Sequence, residues 1–264
     1  MTDTHCHLTY DGLHERAADV IAAAHAAGVD RMISVGTTPD DALAAVKLAE
    51  RHAGVFAAAG LHPHYVAGAE KHAVVTHLSI LLGHPKVVAL GEMGLDRHYP
   101  EPPLDPQREA FAWQLELLAQ TPGVPAIIHN REATDETLAM IAAHGLPGSR
   151  FVFHCFTGSA AELDAILATG AMVSITGIAT FKNSRDLADA TDRIPLDRLM
   201  VETDSPFLTP EPFRKVRPNE PRFVPHVAAF LAQRRGMSAA EFTAAVDANA
   251  DRFFGLSKVE ARPA

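Results

Sequence analysis

Short runs of apolar and β-branched residues recur along the chain, each followed by polar punctuation and then by apolar positions repeating at helical spacing. The runs predict strands near residues 2–5, Arg31–Val35, Val55–Ala59, Lys86–Leu90, Pro125–Ile128, Arg150–Phe153, Ala171–Ile175 and Arg198–Val201. Helices are expected over Leu13–Ala27, Pro39–Arg51, Pro106–Gln120, Ala133–His144, Ser159–Thr169 and Ser184–Arg193. Thr38-Pro39-Asp40-Asp41 and Asp105-Pro106 are start signals, because proline in the first turn loses no needed hydrogen bond. Gly28, Gly145 and Gly170 are stop signals of the left-handed kind. The third unit is the least regular, since Pro63 and Gly68 interrupt His62–Leu82.

Strand alternating with helix about eight times is the pattern of an α/β protein of the TIM-type (β/α)8 barrel class. An open doubly wound sheet would need fewer strands, and no GxGxxG fingerprint follows any of them. Two further helices, near Phe223–Arg235 and Ser238–Phe254, follow a Pro- and Arg-rich loop from Pro206 to Pro221. With no linker or repeat, residues 1–264 are expected to form a single barrel domain with helices 223–255 packed on it.

Composition narrows the class. A chain of 264 residues suits one barrel core. Apolar residues at 47% and charged residues at 21% are those of a globular enzyme and exclude a disordered chain. No apolar run approaches the ~18 residues that span a bilayer, so no membrane role is expected. MTDTHCHL lacks the basic end and apolar stretch of a signal peptide, and a cytoplasmic location is the expectation. Cys6 and Cys155, the only cysteines, should stay reduced. The net charge of −9 argues against a protein that coats nucleic acid by charge alone. It does not exclude a nucleic-acid substrate, because metal ions and a local Arg/Lys cluster can supply a positive field. No obligate protein partner is evident.

Barrel active sites form at the carboxyl ends of the strands, so residues at those positions are the ones to inspect. His5 and His7 follow the first strand, Glu92 the fourth, His129 the fifth, His154 the sixth and Asp204 the eighth. Residues two apart in an extended chain face the same side, so His5 and His7 can share an ion. Each residue alone has an ordinary explanation: a capping histidine, a helix-cap carboxylate, a partner for Arg97 or Arg131. Six together at equivalent strand ends point to a metal site, since buried charges need partners. Six mixed nitrogen and oxygen donors exceed one tetrahedral ion, which favours two divalent ions ~3.5–4 Å apart bridged by a carboxylate. The donor set suits zinc, manganese, cobalt or nickel, and magnesium less well. Asp204, beside the metals, is placed to act as general base.

The motifs DTHCHL, GLHPH, GEMGLD, IIHNREA, FHCFTGS, SITGIATFKN, PLDRLMVETDSPFLTP, NEP and ANADRFFG together resemble the TatD family of metal-dependent deoxyribonucleases. The resemblance runs from Thr2 to Gly255. It implies that His5, His7, Glu92 and Asp204 bind one metal and that Glu92, His129 and His154 bind the other, with Glu92 bridging. It implies Glu92 and Asp204 as the catalytic carboxylates, and Asp204 as the group that orients or deprotonates the attacking water. The implied activity is hydrolysis of DNA phosphodiester bonds, as a 3′ exonuclease favouring single strands, with RNA cut by some members. The sequence departs from the family where Arg-Gly is usual: here Arg214 is followed by Lys215, in Arg214–Pro221. That change bears on substrate approach and leaves the ligand positions intact.

Outside the ligand set, His62 in GLHPH is a candidate for a substrate phosphate, and His64 lies beside it; either could instead stiffen the loop around Pro63. Arg131 could grip a phosphate or pair with Glu92 or a helix-start acid. Arg214 and Lys215, with Arg217, could lead a strand to the metals or be merely solvated. Glu202 is a candidate hydrogen-bond acceptor for a ligand histidine. Phe181 and Tyr65 could stack bases at the rim, Trp113 belongs with the core, and Cys6 should point into the barrel wall. The competing function is a two-metal hydrolase of a small ester, lactone, amide or phosphotriester on the same barrel. A non-catalytic scaffold is disfavoured because none of the six ligand positions is lost.

Overall fold

The computed structural model describes residues 1–260, so the last four residues of the expected 1–264 domain lie outside the described residues. Eight strands form one parallel sheet in sequence order: β1 Thr2–Cys6, β2 Arg31–Val35, β3 Val55–Ala59, β4 Val87–Asp96, β5 Ala126–Arg131, β6 Phe151–Phe153, β7 Met172–Ile175 and β8 Leu199–Val201. Helices α1 Ala17–Ala26, α2 Pro39–Arg51, α3 Lys71–Leu82, α4 Leu104–Gln120, α5 Thr134–Ala143, α6 Ala160–Ala168 and α7 Arg185–Thr191 connect successive strands. The seam between β8 and β1 closes just beyond the strands proper. The His7 N–H donates to the Ser205 carbonyl at 2.8 Å, and the Asp204 N–H donates to the His5 carbonyl at 2.9 Å. Below them Asp3, fully buried, accepts the Thr203 N–H at 2.9 Å and its hydroxyl at 2.5 Å. The result is the expected TIM-type barrel.

Alternate strand residues divide between two apolar clusters, as the period of two requires. Ile33, Val35, Phe56, Ala58, Ile127, Val152, Met172 and Met200 fill the barrel interior. Met32, Val55, Ala57, Leu90, Phe151 and Val173 face outward onto the helices. Helices α8 Val224–Arg234 and α9 Ala239–Phe254 follow, then α10 Leu256–Glu260. Helix α9 lies across the start of the barrel. Asn249 donates to the carbonyls of Leu196 and Leu199, Asp247 accepts the Thr2 N–H, and Phe254 and Leu256 close the interior cluster. One end of the barrel is thereby plugged, and the opposite end is free to carry a site.

Two strands are longer than the hydrophobic pattern predicts. The expected ends at Leu90 and Ile128 give way to Asp96 and Arg131, so Glu92 and His129 lie inside strands and not after them. Glycine is the reason. Gly91 (φ 139°) and Gly94 (φ 146°) let β4 press against β5; a β-carbon there would stand 2.6 Å from the Ile127 carbonyl oxygen and 1.9 Å from that of His129. In sequence those glycines read as turn signals, whereas here they permit close backbone approach. Near its start the first helix also departs from the expectation, with a 3₁₀ turn over His14–Arg16 before α1. The irregular third unit resolves into a 3₁₀ turn at Pro63–Tyr65 and α3.

Candidate metal centre

The carboxyl ends of β1, β4, β5, β6 and β8 bring all six predicted ligand residues into one cluster. His5 and His7 face each other with their Nε2 atoms 3.3 Å apart. His7 Nδ1 lies 2.9 Å from the Val35 carbonyl, which can only accept, so Nδ1 carries the proton and the Nε2 lone pair points inward. Asp204 sits in a left-handed backbone conformation (φ 52°) that turns the chain sharply after β8. Its Oδ1 lies 3.4 Å from His7 Nε2 and 3.8 Å from His5 Nε2.

Glu92 occupies the centre. Its Oε2 is 3.3 Å from His5 Nε2 and 3.9 Å from His7 Nε2. Its Oε1 addresses the other side, 2.8 Å from His129 Nδ1, 2.7 Å from His154 Nε2 and 3.2 Å from His62 Nε2. One carboxylate thus presents one oxygen to each of two histidine groups, the geometry of a bridging ligand. Two donors held ~2.0–2.2 Å from one ion at right or tetrahedral angles stand roughly 2.8–3.6 Å apart. Most of the observed separations fall in that band. The imidazole-and-carboxylate composition fits a divalent transition ion.

Electrostatics follow from burial. Desolvation lowers the basicity of His5, aided by the neighbouring His154. It also works on His7, His129 and His154, but there Asp204, Asp96 with Glu92, and Glu92 with Glu202 respectively more than offset it. Burial alone would raise Glu92, yet the charge of His154 and the hydrogen bonds with His129 and His154 hold it well below the usual carboxylate range. Asp204 is held low against burial by its hydrogen bond with His7. Burial takes His62 down to about 4, which leaves it neutral at neutral pH; its Nδ1 accepts the His64 N–H at 3.0 Å, so its Nε2 presents an N–H to Glu92 and His129. The cluster is therefore two ionised carboxylates that draw His7, His129 and His154 toward protonation, the positive charge that a bound cation would replace.

Glu202, buried at the end of β8, accepts the Cys155 N–H at 2.6 Å and lies 3.4 Å from His154 Nδ1, on the far side of that ring from Glu92. Cys155, like Asp204, adopts a positive φ (45°) next to a cluster residue. Cys6 points away, its thiol against the Ile33 carbonyl. Trp113 packs on the outer core.

The cluster forms the floor of an open cleft of about 920 Å³. His62 and Arg131 line it, with Arg131 placed 5.6 Å over the Tyr99 ring and not paired with Glu92. Arg214 and Lys215 are not among the lining residues; the Arg214 guanidinium lies 3.7 Å from the centre of Phe181, and Lys215 is exposed. Tyr65, Tyr99 and Phe207, each about half exposed, stand around the mouth, and Tyr10 stacks on His7 at 4.5 Å. Tyr10, Tyr99 and Phe207 escape a reading of sequence because no periodicity marks them. Asp96 escapes too. It lies four residues beyond Glu92 and so on the same strand face, a signal hidden while β4 is expected to stop at Leu90.

Comparison with known proteins bears on the family and the fold. The family model described as TatD related DNase matches residues 2–255. The chain is 36% identical over 255 residues to the uncharacterized metal-dependent hydrolase YabD of Bacillus subtilis, covering 97% of this chain and 99% of that one. It is 35% identical over 264 residues to the 3'-5' ssDNA/RNA exonuclease TatD of Klebsiella pneumoniae, covering 97% and 98%. Among solved structures, YJJV, a TatD homolog from Escherichia coli K12, superposes with a TM-score of 0.90 at 28% identity over 97% of this chain and 98% of that one. The family match over nearly the whole chain, the similar relatives and the shared fold leave one assignment: the chain belongs to the TatD family of metal-dependent hydrolases.

Proposed function

We propose that the protein hydrolyses phosphodiester bonds of DNA, as a 3′–5′ exonuclease on single strands that also accepts RNA, using two divalent ions. The observation that carries this reading is the division of Glu92 between two histidine groups at the floor of a cleft wide enough for a nucleotide. His5, His7, Glu92 and Asp204 would hold one ion, and Glu92, His129 and His154 the other. When bound, such ions supply the positive charge that acidifies a water and offsets charge building on the phosphoryl oxygens. Asp204 is the more open of the two carboxylates, with 14% of its side chain exposed against 3% for Glu92. It is thus the one that can orient the attacking water and take its proton. His62 and Arg131 face the cleft from the β3 and β5 side, where a phosphate oxygen would lie, and the half-exposed aromatics offer faces to unpaired bases.

A 3′-labelled single-stranded oligonucleotide should be shortened by the pure protein with manganese, magnesium or zinc. The shortening should vanish in His129→Ala and Asp204→Ala variants. Intact DNA and RNA under all three metals, with turnover of a lactone or phosphotriester in their place, would move the protein to the small-substrate reading.

A further inference from the structure

Asp96 does not line the cleft and is absent from the six-residue cluster, yet it is 1% exposed and fully engaged. Its Oδ1 accepts the backbone N–H groups of His98 at 2.9 Å and Tyr99 at 3.1 Å. Its Oδ2 lies 2.8 Å from His129 Nε2 and 2.9 Å from His64 Nε2. Gln107, also buried, clamps the residue's own backbone, accepting the Asp96 N–H at 2.8 Å and donating to the Asp96 carbonyl at 3.0 Å. The carboxylate can therefore neither rotate nor exchange its oxygens without breaking two amide hydrogen bonds.

An ionised carboxylate only accepts, so both imidazoles must present N–H at Nε2. His129 Nδ1 lies 2.8 Å from Glu92 Oε1, which also only accepts, and 3.2 Å from His62 Nε2, whose N–H it can accept because His62 Nδ1 already takes the His64 N–H. An ion shared by Nδ1 and Glu92 would need the Nδ1 lone pair, and Asp96 then keeps the one ring proton at Nε2. We infer that Asp96 is a positioning residue that sets the tautomer of His129, so that Nδ1 is the ligand atom for the second ion. This rests on the two-ion reading above and adds to it the residue that decides which ring nitrogen is offered. Orienting carboxylates of this kind typically contribute 10–100-fold to metal affinity.

The orientation of Asp96 makes the test unusual. In Asp96→Asn the two backbone N–H groups hold the amide oxygen at the Oδ1 position, which puts the NH2 group at the Oδ2 position. A donor then faces His129 Nε2, and the ring must carry its proton on Nδ1, the ligand atom. In Asp96→Ala nothing is imposed and water can enter. The isosteric Asn variant should accordingly be more harmful than Ala, the reverse of what a packing role produces.

Calorimetric titration of zinc and of manganese into the metal-free full-length chain reads this directly, with metal content as a check. The expected result is two ions on wild type and an unchanged first ion in both variants. The second ion should bind about 10–100-fold more weakly in Asp96→Asn and less affected in Asp96→Ala. Equal second-ion affinity in wild type and Asp96→Asn, or a larger drop in Ala than in Asn, overturns the inference while two ions on wild type keep the parent reading. Fewer than two ions on wild type overturns both. Should the Asn variant fail to fold, nitrogen NMR of zinc-loaded wild type decides, with His129→Gln assigning the ring. A protonated Nε2 with metal on Nδ1 supports the inference, and metal on Nε2 overturns it.

Discussion

The floor and the rim of the cleft are built on opposite principles. On the floor His5, His7, Glu92 and His154 are each less than 10% exposed, and the atoms that face the cluster (His5 Nε2, His7 Nε2, both Glu92 oxygens and His154 Nε2) each have another of them within 3.3 Å. Backbone groups and buried carboxylates hold the rings: Val35 for His7, Asp96 for His129, Glu202 beside His154. At the rim, Tyr65, Tyr99 and Phe207 are about half exposed, and Arg131 and Arg214 rest on aromatic faces and not on carboxylates. A buried donor set cannot shift without leaving a charge unpaired, so it suits a group needing fixed coordination. Exposed aromatics lose little when a ligand slides along them, so they suit a substrate of varying sequence. Changes on the floor should therefore act on kcat and metal content, and changes at the rim on KM.

The largest effect is expected at the one residue both ion groups share. Glu92→Gln keeps the shape and removes the charge that His5, His129 and His154 face. Both ions should be lost together and turnover should fall to the no-enzyme background, read by metal content alongside oligonucleotide digestion. Loss of one ion with the other retained would mean that the two groups do not share Glu92, and the floor would have to be divided.

A smaller effect is expected at Tyr99, a residue 49% exposed whose ring lies beneath Arg131. Base stacking on an aromatic face contributes about 1–3 kcal/mol. Tyr99→Ala should raise KM for a single-stranded oligonucleotide by roughly 5–150-fold, with kcat within a few-fold of wild type. Steady-state kinetics on single-stranded and duplex substrates of one sequence separate the two parameters. A fall in kcat with KM unchanged would instead join Tyr99 to the floor.

Much of the floor was legible in the sequence and little of the rim. Strand ends converge by topology, so residues as far apart as His5 and Asp204 could be grouped once eight strand–helix units had been counted. The expected bounds of β2, β3 and α2 coincide with those observed, because continuous apolar runs and the Thr38 cap signal them locally. The extension of β4 was not legible, since Gly91 and Gly94 look the same in a turn as in a close strand pairing. Asp96 went unassigned for that reason. The rim depends on side-chain encounters between distant loops, as where Arg214 meets Phe181 or Tyr10 approaches Phe207. No period in the sequence encodes such encounters.

The smallest effect tests where the rim ends. The family resemblance leads one to expect glycine at Lys215, but the backbone there is not among those with positive φ, so the position does not demand glycine's freedom. Its side chain is exposed and outside the cleft lining. Lys215→Gly should thus change stability by no more than about 1 kcal/mol, through the added entropy of the unfolded chain. Removing one cation that neutralises a phosphate lowers the salt slope of nucleic-acid binding by about 0.7 for single strands. Arg131→Ala, within the cleft, should reduce the slope by about that much, and Lys215→Gly should leave it unchanged. Equal reductions in the two variants would carry the phosphate path out along the Pro206–Pro221 loop, and the boundary between cleft and solvent would have to be redrawn beyond Arg214.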